Sequence, residues 1–457
     1  MSRTSLVAAH CGICTVFWYI MDSFRSELGH DGYMDEIFHI PQAQKYCKGA
    51  LWSWDSKITT FPGLYALSAL AHGTVQSIVS ADLGLFFGTA CSVEYLRSLN
   101  VFLGIACVGV VHGIVQHQLG HRNSRSTMDT ILMVLVCAIL PVHFFFVFLY
   151  YTDTASSLFV LSTWLALMKR QYTISGLLAM CAILMRQTNA VWVVYMMGCA
   201  VLDMEHERDA ANGSRATWAS FTTSVLSNIA SYMSLLWLHT LSVLLFIAFV
   251  VHNKGIVVGD KENHVPVTHW VQPFYFYSYL VVTSGPLWLS RAARSLSWRH
   301  FTLIFCLLSL LAYMAVEHGT LAHPFILADN RHYTFYVWRK LINASRASRY
   351  LLTPVYGFCA SIAIFSGASE VHVRCRKAAL LVCTAMVLVP AHLVEFRYFT
   401  IPWLLYILDK DSVLLRSNRA QLLSTVLAYC AINVATMYIF LHRAFTWPDG
   451  SIARFMW

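Results

Sequence analysis

The stretch Gly32-Tyr-Met-Asp-Glu-Ile-Phe-His-Ile-Pro41 sets two carboxylates side by side, Asp35 and Glu36, with an imidazole four residues after the first. On a helix Asp35 and His39 share a face, because residues at i and i+4 are surface neighbours. A histidine so placed can orient a carboxylate, and adjacent carboxylates in different surroundings can divide the work, one structural and one basic. A base that deprotonates an acceptor hydroxyl accelerates transfer by roughly 10²–10⁴. In open water the same residues would be an ordinary solvated acidic loop. Glu36 and His39 also form the Glu-x-x-His element of di-iron bundles, but that chemistry needs two such elements with further carboxylates, all projecting inward from facing helices.

Cations recur in the polar segments. Asp329-Asn-Arg-His-Tyr333 is followed by Arg339 and Lys340, Lys254 and Lys261 bracket a Gly-rich stretch, and Arg397 lies within Glu395-Phe-Arg-Tyr398. Glycine lets backbone approach a ligand closely, and Arg or Lys heads hold phosphate oxygens. Taken singly, each basic residue is explained by lipid headgroups. Set on one face with Asp35 and Glu36, they suit a base on one side and a phosphate leaving group on the other. The histidines, among them His112, His117, His121, His264 and His269, show no zinc-ligand spacing with cysteine. Cys11-Gly-Ile-Cys14 has redox spacing but lies in an apolar run, where it reads as packing. The 13 cysteines are odd in number and suggest no disulfide framework.

What must position these groups is a set of membrane helices. Of 457 residues, 57% are hydrophobic and 12% charged, half the charge of a soluble domain at about 25%. Apolar runs long enough to span recur from 4–22 to 421–442, and with shorter pieces at 83–93 and 399–408 they predict about 12–14 spans in one domain, 1–457. The first run reads as a signal anchor. The net charge of +9 is spread over short loops, at Lys169-Arg170, Arg291 to Arg299, Arg374 to Lys377 and Arg416 to Arg419. That is the pattern of cytoplasmic anchoring rather than nucleic-acid binding. The opposite face then holds loops 23–60, 252–269 and 317–348 and the stretch near 395–398, the first able to form amphipathic helices on the membrane surface. Tyr150 to Asp153 joins that face only if 83–93 crosses. Arg186-Gln-Thr-Asn189 interrupts the run 174–202 and predicts two helices meeting at a polar turn, since a mid-bilayer Arg costs about 2.5–3.5 kcal/mol.

Several strings resemble one enzyme family. They are Tyr33 to Gln44, Trp54-Asp55, Lys57 to Tyr65, Met185 to Asn189, Gly255 to Lys261, Leu327 to Trp338, Glu395 to Phe399 and Arg454 to Trp457. The family is that of endoplasmic-reticulum alpha-1,2-glucosyltransferases dependent on dolichyl-phosphate-glucose. The likeness runs from near the first residue to the last, with departures at Gly32, Lys254 and Phe396. It implies a GT-C-type all-α polytopic bundle in the endoplasmic-reticulum membrane, its active site lumenal. The donor would be dolichyl-phosphate-glucose. The acceptor would be the diglucosylated dolichol-diphosphate-linked oligosaccharide, glucosylated with inversion and without metal or other cofactor. Asp35 is then the first choice for base and Glu36 the second. Arg331 and Arg397, with His332 or Lys261, would hold the donor phosphate. His39, Trp54, Asp55, Tyr65, Asp329, Asn330 and Tyr333 are expected near substrate. Trp52, Trp54 and Tyr65 could equally anchor the membrane interface. A mannose-donor relative or a non-catalytic transporter or channel-associated subunit are the alternatives.

Overall fold

The computed structural model describes residues 3–78, 91–120, 125–213, 218–288, 298–321, 327, 329–365, 371–410 and 412–457. Helix dominates, because a chain in hydrocarbon must satisfy its backbone groups within each segment. Among the described residues the only strands are Phe445–Thr446 (β1) and Ile452–Ala453 (β2), paired antiparallel. The chain is an all-α polytopic membrane protein.

Helix α1 (Arg3–Leu28) buries Phe17, Met21 and Phe24, spaced i, i+4, i+7 on one face. Phe17 meets Phe144 and Phe148, and Phe24 stacks on Phe440. Helix α2 (Glu36–Cys47) packs on α3 (Gly63–Ile78) through Ile40, Ala43 and Tyr46. Then follow α4 (Val93–Leu119), α5 (Thr127–Ala138), α6 (Pro141–Phe146) and α7 (Thr152–Met168). The run 174–202 is indeed two helices, α8 (Tyr172–Met185) and α9 (Asn189–Ala211), meeting at an extended Arg186. Asn189 repairs the break by donating to the Ala182 carbonyl at 2.7 Å and to Ser156 at 2.7 Å. Gly63 lets α3 approach that break, since a Cβ there would lie 2.3 Å from the Leu184 carbonyl oxygen.

The later helices include α10 (Trp237–Asn253), α11 (Gln272–Thr283), α12 (Trp298–Gly319), α13 (Thr353–Phe365), α14 (Val371–Leu388), α15 (Thr400–Ile407) and α16 (Arg419–His442). Leu303, Leu307 and Leu310 form an exposed stripe along α12, as a lipid-facing helix requires. Among the described residues three helices, α4, α12 and α16, are long and apolar enough to cross a bilayer unaided. Ile229–Leu235 with α10 makes a fourth, bent by 84°. Many of the other apolar runs form shorter helices, α8 and α9 parting where Arg186 enters. Residues 83–90 of the run 83–93, the basic loop 291–297, and His121 lie outside the described residues.

The bundle has two chemically different ends. Asp203 lies 14 residues beyond Asn189 on α9, about 21 Å along the axis. There it pairs with Arg376 at 2.6 Å and Lys410 at 2.9 Å, while Arg419 pairs with Asp129 at 2.8 Å. Arg376 and Arg419 belong to the basic clusters that the sequence assigns to one face. At the other end gather Asp35, Tyr150 to Asp153, Arg186, Arg331 and Arg397.

One covalent link runs against expectation. Cys47 at the end of α2 and Cys91 just before α4 form a disulfide, 44 residues apart. Nothing in the cysteine spacing signals it, because the partners come together only when α3 folds away and the chain returns. A closed loop of that size stabilises by about 4 kcal/mol in the chain-entropy account. Cys47→Ser is expected to lower the melting temperature in detergent. In the wild type both thiols should react with maleimide only after reduction, read by intact mass.

Candidate functional site

Asp35 stands at the N-cap of α2, yet its carboxylate caps nothing. Instead Oδ2 accepts from Arg397 Nη1 at 3.0 Å, and 40% of the side chain remains open to solvent. Met34 just before it takes a left-handed backbone, φ +56°, a conformation that costs about 1–2 kcal/mol outside glycine. The Asp35 amide donates to Tyr151 Oη at 3.0 Å. The base candidate is thus held by its backbone, with its carboxylate left for other partners. Burial would raise the Asp35 carboxyl, but Arg397, helped by His39 and His332, holds it below the usual carboxylate range.

Glu36 has the opposite environment. It is fully buried and accepts from Arg97 Nε at 3.0 Å and Nη2 at 2.6 Å, from the Tyr150 amide at 2.7 Å and from the Tyr33 amide at 3.0 Å. Four donors leave it little capacity for a substrate proton. It ties α2 to α4 and to the turn before α7. His39 bonds Tyr65 Oη through Nδ1 at 2.6 Å. Burial lowers its basicity, and Arg397 lowers it further against the pull of Asp35.

Arg397 belongs to the 3₁₀ turn Phe396–Phe399, between α14 and α15. Its guanidinium binds Glu395 as well as Asp35. The rings of Tyr151, Tyr398 and Phe146 surround it, centroids 5.6, 5.8 and 5.9 Å away. Such rings favour a cation by about 0.5–2 kcal/mol. Beside it Arg186 pairs with Asp153 at 2.5 Å and lies 5.7 Å from the Tyr398 ring. Among the described residues the second, buried oxygen of Asp153 has no hydrogen-bond partner. Tyr151, Asp153 and Arg186 therefore join Asp35, as the sequence alone could not decide.

Arg331 makes a two-pronged pair with Asp329, Nε to Oδ1 at 2.9 Å and Nη2 to Oδ2 at 2.8 Å, and lies 4.4 Å from the Trp447 ring. Burial would raise the Asp329 carboxyl, but Arg331 draws it below its ordinary range. Arg331 lies within electrostatic reach of Tyr33 and Tyr151, and His332 within reach of Asp35, so this loop faces the base. His332 Nδ1 bonds the Trp457 carbonyl at 3.0 Å, Asn330 accepts from the Trp447 indole at 2.9 Å, and the buried Tyr333 hydroxyl has no hydrogen-bond partner among the described residues.

Other expected residues serve elsewhere. Tyr65 is fully buried, touching His39, Tyr46 and Trp54, and offers no face to a sugar. Asp55 accepts from the Lys57 amide and its own amide donates to Gln42, which shapes the turn. Trp54 has a buried indole N–H with no hydrogen-bond partner among the described residues, and Trp52 is 99% exposed. Lys261 donates to Asn253 at 2.7 and 2.8 Å. Its loop packs on the first one, with Asp260 N to Ser56 O at 2.8 Å and Val258 N to Thr59 O at 3.0 Å. Among the described residues no three His, Cys, Asp or Glu side chains gather as a metal site requires.

The arrangement can therefore take a proton at Asp35 and meet an anion with Arg397 and Arg331. The DIE2/ALG10 family profile matches residues 30–408. A human protein named Dol-P-Glc:Glc(2)Man(9)GlcNAc(2)-PP-Dol alpha-1,2-glucosyltransferase is 33% identical over 455 residues, covering 93% of this chain and 93% of its own. A protein of the same name from Arabidopsis thaliana is 34% identical over 512 residues, covering 97% and 98%. One from Debaryomyces hansenii is 30% identical over 485 residues, covering 99% and 98%. None of the solved structures matches the chain.

The two carboxylates should separate in stability. Removing one partner of a buried pair costs about 3–5 kcal/mol, so Glu36→Ala or Arg97→Ala is expected to unfold far more easily in detergent melts. Asp35→Asn breaks a partly exposed pair and should change stability by no more than about 1 kcal/mol.

Proposed function

The chain belongs to the DIE2/ALG10 family, and from that premise we propose that it transfers glucose from dolichyl-phosphate-glucose to the diglucosylated dolichol-diphosphate-linked oligosaccharide. The product is the terminal alpha-1,2 linkage of the N-glycan precursor. The observation that carries the reading is the Asp35–Arg397 pair: a partly open carboxylate, 3.0 Å from a guanidinium in an aromatic surround. Relatives of the same printed name supply the substrate class.

Asp35 accepts the proton of the 2-hydroxyl on the acceptor's terminal glucose as that oxygen attacks the donor's anomeric carbon. The bond from that carbon to the phosphate oxygen breaks, and its electron pair leaves on dolichyl phosphate. Arg397 and Arg331, with His332 nearby, meet the growing charge. Preorganised cations in a dry site stabilise such charge without reorganising. A beta donor and an alpha product require one displacement at the anomeric carbon. Glu36 acts as the anchor that fixes the first turn of α2, so Asp35 is assigned as base. The rigid Arg fork suits phosphate oxygens better than Lys, and Lys261 is occupied by Asn253.

The donor phosphate has to compete with Asp35 for Arg397. As the guanidinium turns to phosphate, the interaction that suppresses the basicity of Asp35 weakens, and the carboxylate becomes a better proton acceptor. We assign the site end to the lumen of the endoplasmic reticulum. Disulfides persist in oxidising compartments, and Cys47–Cys91 lies at that end. The basic clusters at the far end fit the cytoplasmic side.

Asp35→Asn should reduce transfer by about 10²–10⁴ without changing the melting temperature; undiminished transfer by the folded variant would remove Asp35 as base. Arg397 lowers the Asp35 pKa, so the acid limb of kcat/KM lies below the ordinary Asp range. In Arg397→Gln burial acts unopposed by that charge, and the limb should move to higher pH. A limb that stays in place would show that Asp35 does not control it.

A further inference from the structure

The segment Arg443–Trp457 touches both sides of the site. After α16 it turns back through the β1–β2 hairpin, closed by Trp447 N to Ser451 O at 2.9 Å and Gly450 N to Trp447 O at 2.9 Å. Arg454 then anchors it, its guanidinium donating to the carbonyls of Phe440, Leu441 and Glu27 at 2.9, 2.5 and 3.0 Å. On the base side, the Tyr33 hydroxyl both donates to the Arg454 carbonyl and accepts from its amide, each at 2.8 Å. Tyr33 is two residues from Asp35, and its own amide holds Glu36 at 3.0 Å. On the cation side, Met456 bonds the backbone on both sides of His332: its amide donates to the Arg331 carbonyl and its carbonyl accepts from the Tyr333 amide, each at 2.9 Å. Trp457 accepts from His332 through its carbonyl and packs its ring on Tyr333 and Phe396. Trp447 fixes the Arg331 head by stacking and holds Asn330.

We propose that Arg454–Trp457, with Trp447, is a positioning element that sets the distance between the base Asp35 and the phosphate-binding cations Arg331 and His332. Met456 is its buried anchor at 1% exposure, while the rings of Phe455 and Trp457 pack on Tyr336, Phe445, Tyr333 and Phe396. The bonds run in register, with Arg454 fixed to Tyr33 and Met456 to Arg331 and Tyr333. Two residue steps therefore bridge the gap, which limits it to about 7 Å. A helix–helix contact alone would let the first loop and the loop at 329–333 drift independently. The inference rests on the transfer reading above, because it takes Asp35 and Arg331 as the two halves of one site.

The test uses full-length protein in detergent and two readouts. One is transfer kinetics, and the other is direct binding of a short-chain polyprenyl monophosphate, which carries the phosphate without the sugar. Trp447→Ala removes the stack on Arg331 and should weaken polyprenyl phosphate binding and raise donor KM by about three- to thirtyfold. Its kcat and acceptor KM should stay within about twofold. Trp447→Phe keeps a ring and should recover most of the loss. Tyr33→Phe cuts the base-side link and should lower kcat by about tenfold while phosphate binding is unchanged. Equal losses in both readouts for both variants, with lowered melting temperatures, would reduce the segment to a structural brace and overturn the proposal. So would unchanged kinetics, or a wild type that does not bind polyprenyl phosphate. A wild type that binds the phosphate but transfers no sugar would overturn the reaction instead, and the binding ratio of Trp447→Ala to wild type would still decide the role of the segment.

Discussion

Glu36 and Arg97 carry charge where water does not reach, with side chains 0% and 2% exposed, and each is tolerable only because the other is present. The attraction alone would not offset the loss of hydration. What closes the balance is saturation, because amide donors from Tyr33 and Tyr150 join the two nitrogens of Arg97. This knot joins the first loop, α4 and the turn entering α7. Everything at the site end is measured from it. With Glu36 turned inward at the first residue of α2, its neighbour Asp35 is directed to a different surface, and there it meets Arg397.

The site is therefore a sequence of ion pairs graded by solvent access. Glu36–Arg97 is sealed, Asp153–Arg186 is nearly so, and Asp35–Arg397 and Asp329–Arg331 are partly open. A sealed pair locks geometry, whereas an open pair can exchange partners with a charged substrate. The phosphate donor and the hydroxyl acceptor need the second kind. Aromatic rings support the open pairs, Tyr151, Tyr398 and Phe146 around Arg397 and Trp447 beside Arg331, and Glu395 gives Arg397 a second carboxylate. Rings hold a cation without neutralising it.

Much of this was legible in the residues. Asp35 and Arg397, 362 positions apart, could be assigned to one face from the alternation of apolar runs and basic loops, and the structure joins them. The polar interruption at Arg186 ends one helix and begins another as its cost in lipid demands. Other features were not legible, for definite reasons. Asp35 and Glu36 look alike in sequence, and only the position of Arg97 distinguishes anchor from open acid. Tyr65 carries an interface aromatic's signature, yet its hydroxyl finds His39 in the interior. The Cys47–Cys91 link joins the end of α2 to the residues just before α4, a pairing that no spacing rule encodes. The closing segment joins three distant parts of the chain, and in each bond but that of Trp447 to Asn330 at least one partner is a main-chain group, which leaves no mark on side-chain pattern.

The most direct measurement is the structure of the product made by purified wild-type protein from dolichyl-phosphate-beta-glucose and a synthetic diglucosylated lipid acceptor, read by NMR of the new anomeric proton and its linkage. Single displacement assisted by Asp35 gives one added glucose, alpha-configured and joined at the 2-position. A beta-linked product, a linkage at another hydroxyl, or no transfer by a folded protein that binds both lipids would contradict it.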